Sequence, residues 1–301
     1  MRECMLDTPR GRFAIVRHGQ AGGAAAPLRV LALHGWLDNA ASFAPLAAAF
    51  AADGGPALDF VALDFAGHGL SAHRPAGSFY HLVDNLDDVD AVLDALGWAR
   101  CVLLGHSLGG AVASMYAAAA PARVDALLLV EALGPLPYRP GSAAAALADA
   151  LAQRRRVGAK RLTVYPDIAS AVAARMRAND LSEPVARLLV ERGLAATEGG
   201  FVWRSDPRLT LATPLRAGER QILEWIEAIR APTLVIGADP PSSVLSAAMR
   251  DARMAALRHG RGVLLAGGHH LHMEQPLPVA AALRQFLAQL RPGAVPPPAG
   301  A

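Results

Sequence analysis

The sequence predicts a mostly parallel, doubly wound α/β sheet that carries one helical insertion. Three observations lead there. Short apolar runs alternate with Ala-rich stretches of helical character through most of the chain, the rhythm of repeated β-α-β units. Several of these runs are apolar at nearly every position, as strands are when helices cover both faces of a parallel sheet. The rhythm then stops at Gly134 and does not resume until Pro232, a gap too long for an ordinary connection.

In chain order the expected strands are RFAIVRH (12–18), RVLALH (29–34), DFVALD (59–64), CVLLGH (101–106), ALLLVE (126–131), PTLVIG (232–237) and GVLLAG (262–267). Helices are expected near 40–52, 80–96, 109–120 and 276–290. In the second of these, Asp87, Asp88, Asp90 and Asp94 are expected to make a solvated face. The interval 134–229 reads as a mostly helical cap over the carboxyl edge of the sheet, where ligands bind in open α/β folds. The core is then 1–133 together with 230–291, and the tail 292–301, which ends AVPPPAGA, reads as disordered.

Composition narrows the function classes. The 301 residues are 53% hydrophobic and 18% charged, enough apolar material for a large core. The net charge is +3, and Lys160 is the only lysine among the cations. The sharpest basic run, Arg154-Arg155-Arg156 followed by Lys160 and Arg161, reads as a solvated helix end. A nucleic-acid surface needs more such clusters with aromatics between them, and aromatics are only 5% here. No apolar run approaches the roughly 18 to 20 residues of a membrane span. The opening MRECMLDTPRGR lacks the apolar core of a signal peptide. Cys4 and Cys101 make no disulfide framework, and Cys101 is expected in the core. These features suggest a cytoplasmic protein with neither nucleic-acid nor membrane partners. Nothing in them speaks to oligomeric state.

The strongest chemical signal is LLGHSLGGAVA, residues 103 to 113. It contains G-x-S-x-G as Gly105-His106-Ser107-Leu108-Gly109, directly after a strand and before a helix. A sharp strand-to-helix turn exposes the serine hydroxyl, and the glycines let backbones approach closely. Ser107 then stands at a helix N-terminus, whose free N–H groups favour developing negative charge. The second signal is LALHGWLDN, residues 31 to 39, where a strand ends and the chain turns outward. That loop can aim the Trp36 N–H at a substrate carbonyl oxygen, with the Leu108 N–H as second donor. Each such donor is worth about 3 to 4 kcal/mol in a transition state. His34 reads as a brace for the loop, and Trp36 reads equally as a pocket wall.

On these residues the chain resembles the α/β-hydrolase superfamily over nearly its whole length. DFAGHGLS (64–71) also looks like that family's loop after the next strand, with Asp64 and His68 in structural roles. Within the superfamily it is most similar to serine hydrolase-like proteins, through HGWLDNAASF, GHSLGG, LLVERGL (188–194), SDPRL (205–209) and HHLHMEQP. The resemblance implies a hydrolase with a Ser-His-acid triad, an acyl-enzyme intermediate and no cofactor or metal.

The resemblance also implies a base directly after a glycine, in the loop between the last strand and a C-terminal helix that opens near Pro276. That is His269, with His270 the alternative and His272 a pocket or packing residue. A metal reading would use His269 and His272 but lacks an obvious carboxylate or cysteine set. The acid has two candidate places. Asp239 lies in the loop after the penultimate strand, although the family's aspartate falls about two residues later, where this chain has Pro241. Glu131 ends the strand after the Ser107 helix, much as haloalkane dehalogenases place theirs. A carboxylate directly after an apolar strand needs a partner, and Glu131 needs no gap, so Glu131 is preferred. Ser107 sets the chain apart from epoxide hydrolases and haloalkane dehalogenases, which carry aspartate at that turn. Esterase, lactonase, thioesterase, amidase and carbon–carbon bond hydrolase activities all remain compatible, on a small to medium apolar substrate. A non-catalytic binding protein on the same scaffold is the competing class.

Overall fold

The computed structural model describes residues 1–19, 28–51, 58–138, 141, 143–157 and 162–290. Lys160, Arg161 and the expected disordered tail 292–301 lie outside them. Eight strands make the main sheet: β1 Arg2–Thr8, β2 Gly11–His18, β3 Leu28–Leu33, β4 Leu58–Leu63, β5 Cys101–His106, β6 Val124–Val130, β9 Thr233–Asp239 and β10 Gly260–Ala266. Their order across the sheet is β1-β2-β4-β3-β5-β6-β9-β10. Only β2 runs against its neighbours; every pair from β4 to β10 is parallel.

The continuous apolar runs have a direct cause. Along β3, Leu31 and Leu33 enter one buried layer while Val30 and Ala32 enter the other. Each layer is closed by helices. The first holds side chains of α2 Asp84–Ala95, α3 Leu108–Ala119 and α7 Glu219–Ala228, and the second those of α1 Ala44–Ala51 and the C-terminal helix Pro276–Gln289. Cys101 is buried in the first layer, as expected, and burial pushes its thiol up to about 12.

Three features depart from the sequence reading. Strand β1 has no counterpart in it: its residues RECMLDT are all exposed or only half-buried, and charged positions interrupt any apolar run. The interval between β6 and β9 holds α4 Ala143–Arg156, α5 Ile168–Asn179, α6 Glu183–Gly193 and α7, but also a hairpin of β7 Leu194–Thr197 and β8 Gly200–Trp203. These strands have four residues each and are mostly half-exposed, too short and wet for a period-two signal. Asp88 is not part of a wet face: it is fully buried between Arg10 at 3.3 Å and Arg74 at 2.6 Å. Asp87 and Asp94 are exposed. At the end of α4, Arg155 and Arg156 are exposed and Arg154 stacks on Phe79 at 4.0 Å. No described helix is long and apolar enough to cross a membrane.

The insertion is fastened to the core near the carboxyl ends of the strands. Asn39 donates to Leu189 O at 2.9 Å, Arg192 pairs with Asp64 at 2.5 Å, and Trp36 Nε1 donates to Leu209 O at 3.0 Å. Glu274 accepts the Ser182 N–H and hydroxyl at 2.8 and 2.9 Å. α5 and α6 bury Ala171, Val172, Val185 and Leu189 in a third apolar cluster that also takes in Met273.

Candidate active site

Strand β5 ends at His106 and α3 begins at Leu108, leaving Ser107 alone at the turn with φ 50° and ψ −114°. This conformation is rare for a residue with a Cβ and is held by its surroundings. The Ser107 N–H donates to Val130 O at 3.1 Å, and the Gly109 N–H to His34 O at 3.0 Å. Gly109 is obligatory by space: a Cβ there would stand 1.9 Å from Leu33 O. Gly105 is nearly as constrained, since a Cβ on it would stand 2.5 Å from Gly109 O. The small residues of GHSLGG therefore let α3 start directly against β3 and β5.

The loop after β10 brings His269 to this turn. His269 Nε2 lies 2.9 Å from Ser107 Oγ, and Nδ1 lies 3.2 Å from Glu131 Oε2. With Nδ1–H donating to the carboxylate, the Nε2 lone pair faces the serine hydroxyl. His106 Nε2–H donates to His269 O at 2.9 Å and anchors the loop's backbone to the end of β5. Glu131 follows β6 with φ 54°, and its Oε1 accepts the Ala238 N–H at 2.6 Å. Burial raises its carboxyl, but hydrogen bonds from His269, Ser242 and the Ala238 N–H outweigh that and hold it below the ordinary carboxylate value. A buried, ionised Glu131 thus faces the imidazole.

Asp239 ends β9, the neighbour of β6, so both candidate acids stand at adjacent strand ends. Its side chain is exposed and makes no hydrogen bond or ion pair among the described residues; only its backbone oxygen is engaged, by the Gly267 N–H at 3.2 Å. At the other loop, Asp38 N–H closes a turn onto Gly35 O at 3.1 Å, with Leu37 at φ 59°. Trp36 is about half exposed. Neither the Trp36 nor the Leu108 N–H has an acceptor among the described residues, so both remain available. His34 is fully buried and braces this loop, donating from Nδ1 to Gly35 O at 2.7 Å and accepting the Phe65 N–H on Nε2 at 3.1 Å. Asp64 accepts the Ala40 and Leu70 N–H groups at 2.7 and 2.8 Å.

Beneath His269 is a cluster that the sequence reading missed. Asp38 is buried and paired with Arg175, and its Oδ2 lies 3.7 Å from both His106 Nδ1 and His270 Nε2. His272 is fully buried, has no hydrogen bond on either ring nitrogen, and packs 4.1 Å from His106 and 5.1 Å from Phe43. Burial holds His106, His270 and His272 below the ordinary histidine value. Among the described residues no group of three or more His, Cys, Asp or Glu side chains converges to hold a metal ion. Asp38 stood inside the HGWLDN stretch, but nothing local marks Arg175, its partner 137 residues away.

A half-open cavity of about 260 Å³ lies beside this cluster, lined among others by Leu37, Tyr165, Arg175, Trp203 and Asp206. Neither Ser107 nor His269 lines it.

Comparison with known proteins agrees with this architecture. Residues 29–276 match the family model described as alpha/beta hydrolase fold. A serine hydrolase-like protein of Danio rerio is 32% identical over 289 residues, covering 91% of this chain and 86% of the relative. A hypothetical protein of Pseudomonas aeruginosa superposes with a TM-score of 0.88 at 37% identity, covering 96% of this chain and all 100% of its own. The thioesterase domain from the curacin biosynthetic pathway superposes with a TM-score of 0.79 at 26% identity, covering 96% and 99%. With a parallel sheet, a serine between β5 and α3 and a histidine after the last strand, the chain belongs to the α/β-hydrolase superfamily, as a hydrolase close to the serine hydrolase-like proteins.

Proposed function

We propose that the chain is a serine hydrolase that cleaves a carboxylic ester or related acyl bond of a small to medium apolar substrate. One observation carries this reading: His269 bridges Ser107 Oγ at 2.9 Å and Glu131 at 3.2 Å, the geometry a nucleophile, base and orienting acid require. Ser107 Oγ attacks the carbonyl carbon as its proton passes to His269 Nε2. The N–H groups of Leu108 and Trp36 hold the oxyanion. Collapse breaks the bond to the leaving group, which takes the proton from His269, and leaves an acyl-enzyme. Water then attacks, giving its proton to His269, and Ser107 departs with that proton. Glu131 fixes the imidazole tautomer and stabilises its cation. The insertion at 134–229 acts as a cap over the reacting groups. Thioesters fit the same steps, and the likeness to a thioesterase domain supports testing them.

Hydrolysis of p-nitrophenyl esters of increasing chain length tests the reading, with wild type compared with Ser107→Ala and with labelling by a fluorophosphonate probe. Turnover and labelling that both disappear in Ser107→Ala support it. A folded wild type that neither turns over any ester or thioester nor takes the label would favour a binding role.

A further inference from the structure

The cavity beside Leu37 has a polar feature that the proposed mechanism does not use. Arg175 lines it. The side chain is about nine-tenths buried and spends Nη2 on Asp38. Its Nε is buried with no hydrogen-bond partner among the described residues. A buried guanidinium N–H without an acceptor is costly, and this one belongs to a residue that borders an open space. Ala174 and Ala178, adjoining it on α5, also line the cavity, and their small side chains leave room for a ligand. The remaining walls include Tyr165 and Trp203, which pack edge to face with centroids 6.2 Å apart.

The charge around Arg175 selects the kind of acceptor. Its cation is already matched by the buried carboxylate of Asp38. A second buried carboxylate, Asp206, also borders the cavity and is bonded by Arg208 and Tyr80. An incoming carboxylate would lose its hydration among groups whose charges are already balanced, a poor exchange. A neutral carbonyl brings no charge and accepts from the guanidinium N–H groups that the pair with Asp38 leaves without a partner among the described residues.

We propose that this cavity is a specificity subsite for the far end of the acyl chain, where a neutral oxo or amide carbonyl of the substrate accepts from the Arg175 guanidinium. The inference rests on the serine hydrolase reading above. Leu37, which lines the cavity, directly follows Trp36, the proposed oxyanion donor, so the subsite borders the loop that carries that donor. The favoured substrates are therefore medium-length acyl esters or thioesters with a second, uncharged carbonyl.

The test compares kcat/KM for a chain-length series of p-nitrophenyl acyl esters with isosteric analogues in which one methylene near the chain end is a carbonyl. In the wild type, the oxo ester of the matching length is favoured by about tenfold or more, the effect of one hydrogen bond to a charged donor. Arg175→Lys keeps a cation for Asp38 but lacks the guanidinium's further N–H donors, and the oxo-to-methylene ratio falls to about one. Ala174→Leu fills the cavity and lowers turnover of the longer esters relative to the acetate, independently of the ion pair. Equal kcat/KM for oxo and methylene esters at every length, in a wild type that hydrolyses the acetate, overturns the subsite and leaves the hydrolase reading standing. An unlabelled Ser107 and no ester turnover overturn both.

Discussion

Glu131 accepts the Ala238 N–H at 2.6 Å, although the two residues lie 107 positions apart and on different strands. The bond crosses from the end of β6 to the end of β9, strands that become neighbours only because the insertion leaves the sheet between them. It fixes one carboxylate oxygen while the other faces His269 at 3.2 Å.

Glu131→Gln keeps an acceptor for the Ala238 N–H but removes the charge that stabilises a protonated His269. We expect kcat/KM for a p-nitrophenyl ester to fall about 10²- to 10⁴-fold. Asp239→Asn, altering an exposed side chain without a partner among the described residues, should stay within about twofold. Steady-state kinetics on both variants decide the assignment, and the reverse ranking would make Asp239 the acid.

Gly109→Ala should disrupt the turn, because its Cβ would stand 1.9 Å from Leu33 O. That oxygen belongs to a central strand and cannot yield as a flexible side chain would. A loss of about 3 kcal/mol or more in chemical denaturation is expected, with insoluble expression as the limiting case. A variant as stable as the wild type would show that α3 can slide on β3.

The buried histidines make stability fall with acid. Burial first of all holds His34 near 4 and His68 near 3, and keeps His106, His270 and His272 below their ordinary value. Well above the ordinary histidine value, from about pH 7.5 upward, these groups are neutral in both folded and unfolded chains and add no pH dependence. Below it the unfolded chain takes up protons that the folded one refuses, so each histidine removes on the order of 1 kcal/mol of stability per pH unit until its folded value is reached. The melting temperature should therefore be flat above about pH 7.5 and drop steeply from about pH 6 to pH 5. His272→Phe, which replaces a ring whose nitrogens have no partners among the described residues, should make that drop shallower. A flat profile down to about pH 5 would mean that these rings are reached by water.

Asp38→Asn should leave the Arg175 cation buried without a countercharge, at a cost of about 3 to 5 kcal/mol. Removing both charges in Asp38→Asn with Arg175→Met should recover part of that loss. A double-mutant cycle by urea denaturation measures the coupling; additive losses would show that the pair contributes little.

Elements whose signal is local can be read directly from the chain. Seven strands of the sheet are legible because each carries an apolar run, buried in six of them and only half-buried, at Val263 and Leu265, in β10. The small residues around Ser107 read as a strand-to-helix turn because the steric demand falls within a few residues. The same locality explains what escapes. β1 and the β7–β8 hairpin carry too little apolar surface to announce themselves, and Asp88 looks like one more wet aspartate until Arg10 and Arg74 are placed against it. Which carboxylate faces His269 is settled in three dimensions alone, since Glu131 and Asp239 end adjacent strands and nothing in either segment says which side chain turns toward the loop. The meeting of Asp38 with Arg175 across 137 residues is of the same kind. Such contacts are set by strand order and by where the insertion folds back, which are properties of the whole chain and leave no periodic trace in any short stretch of it.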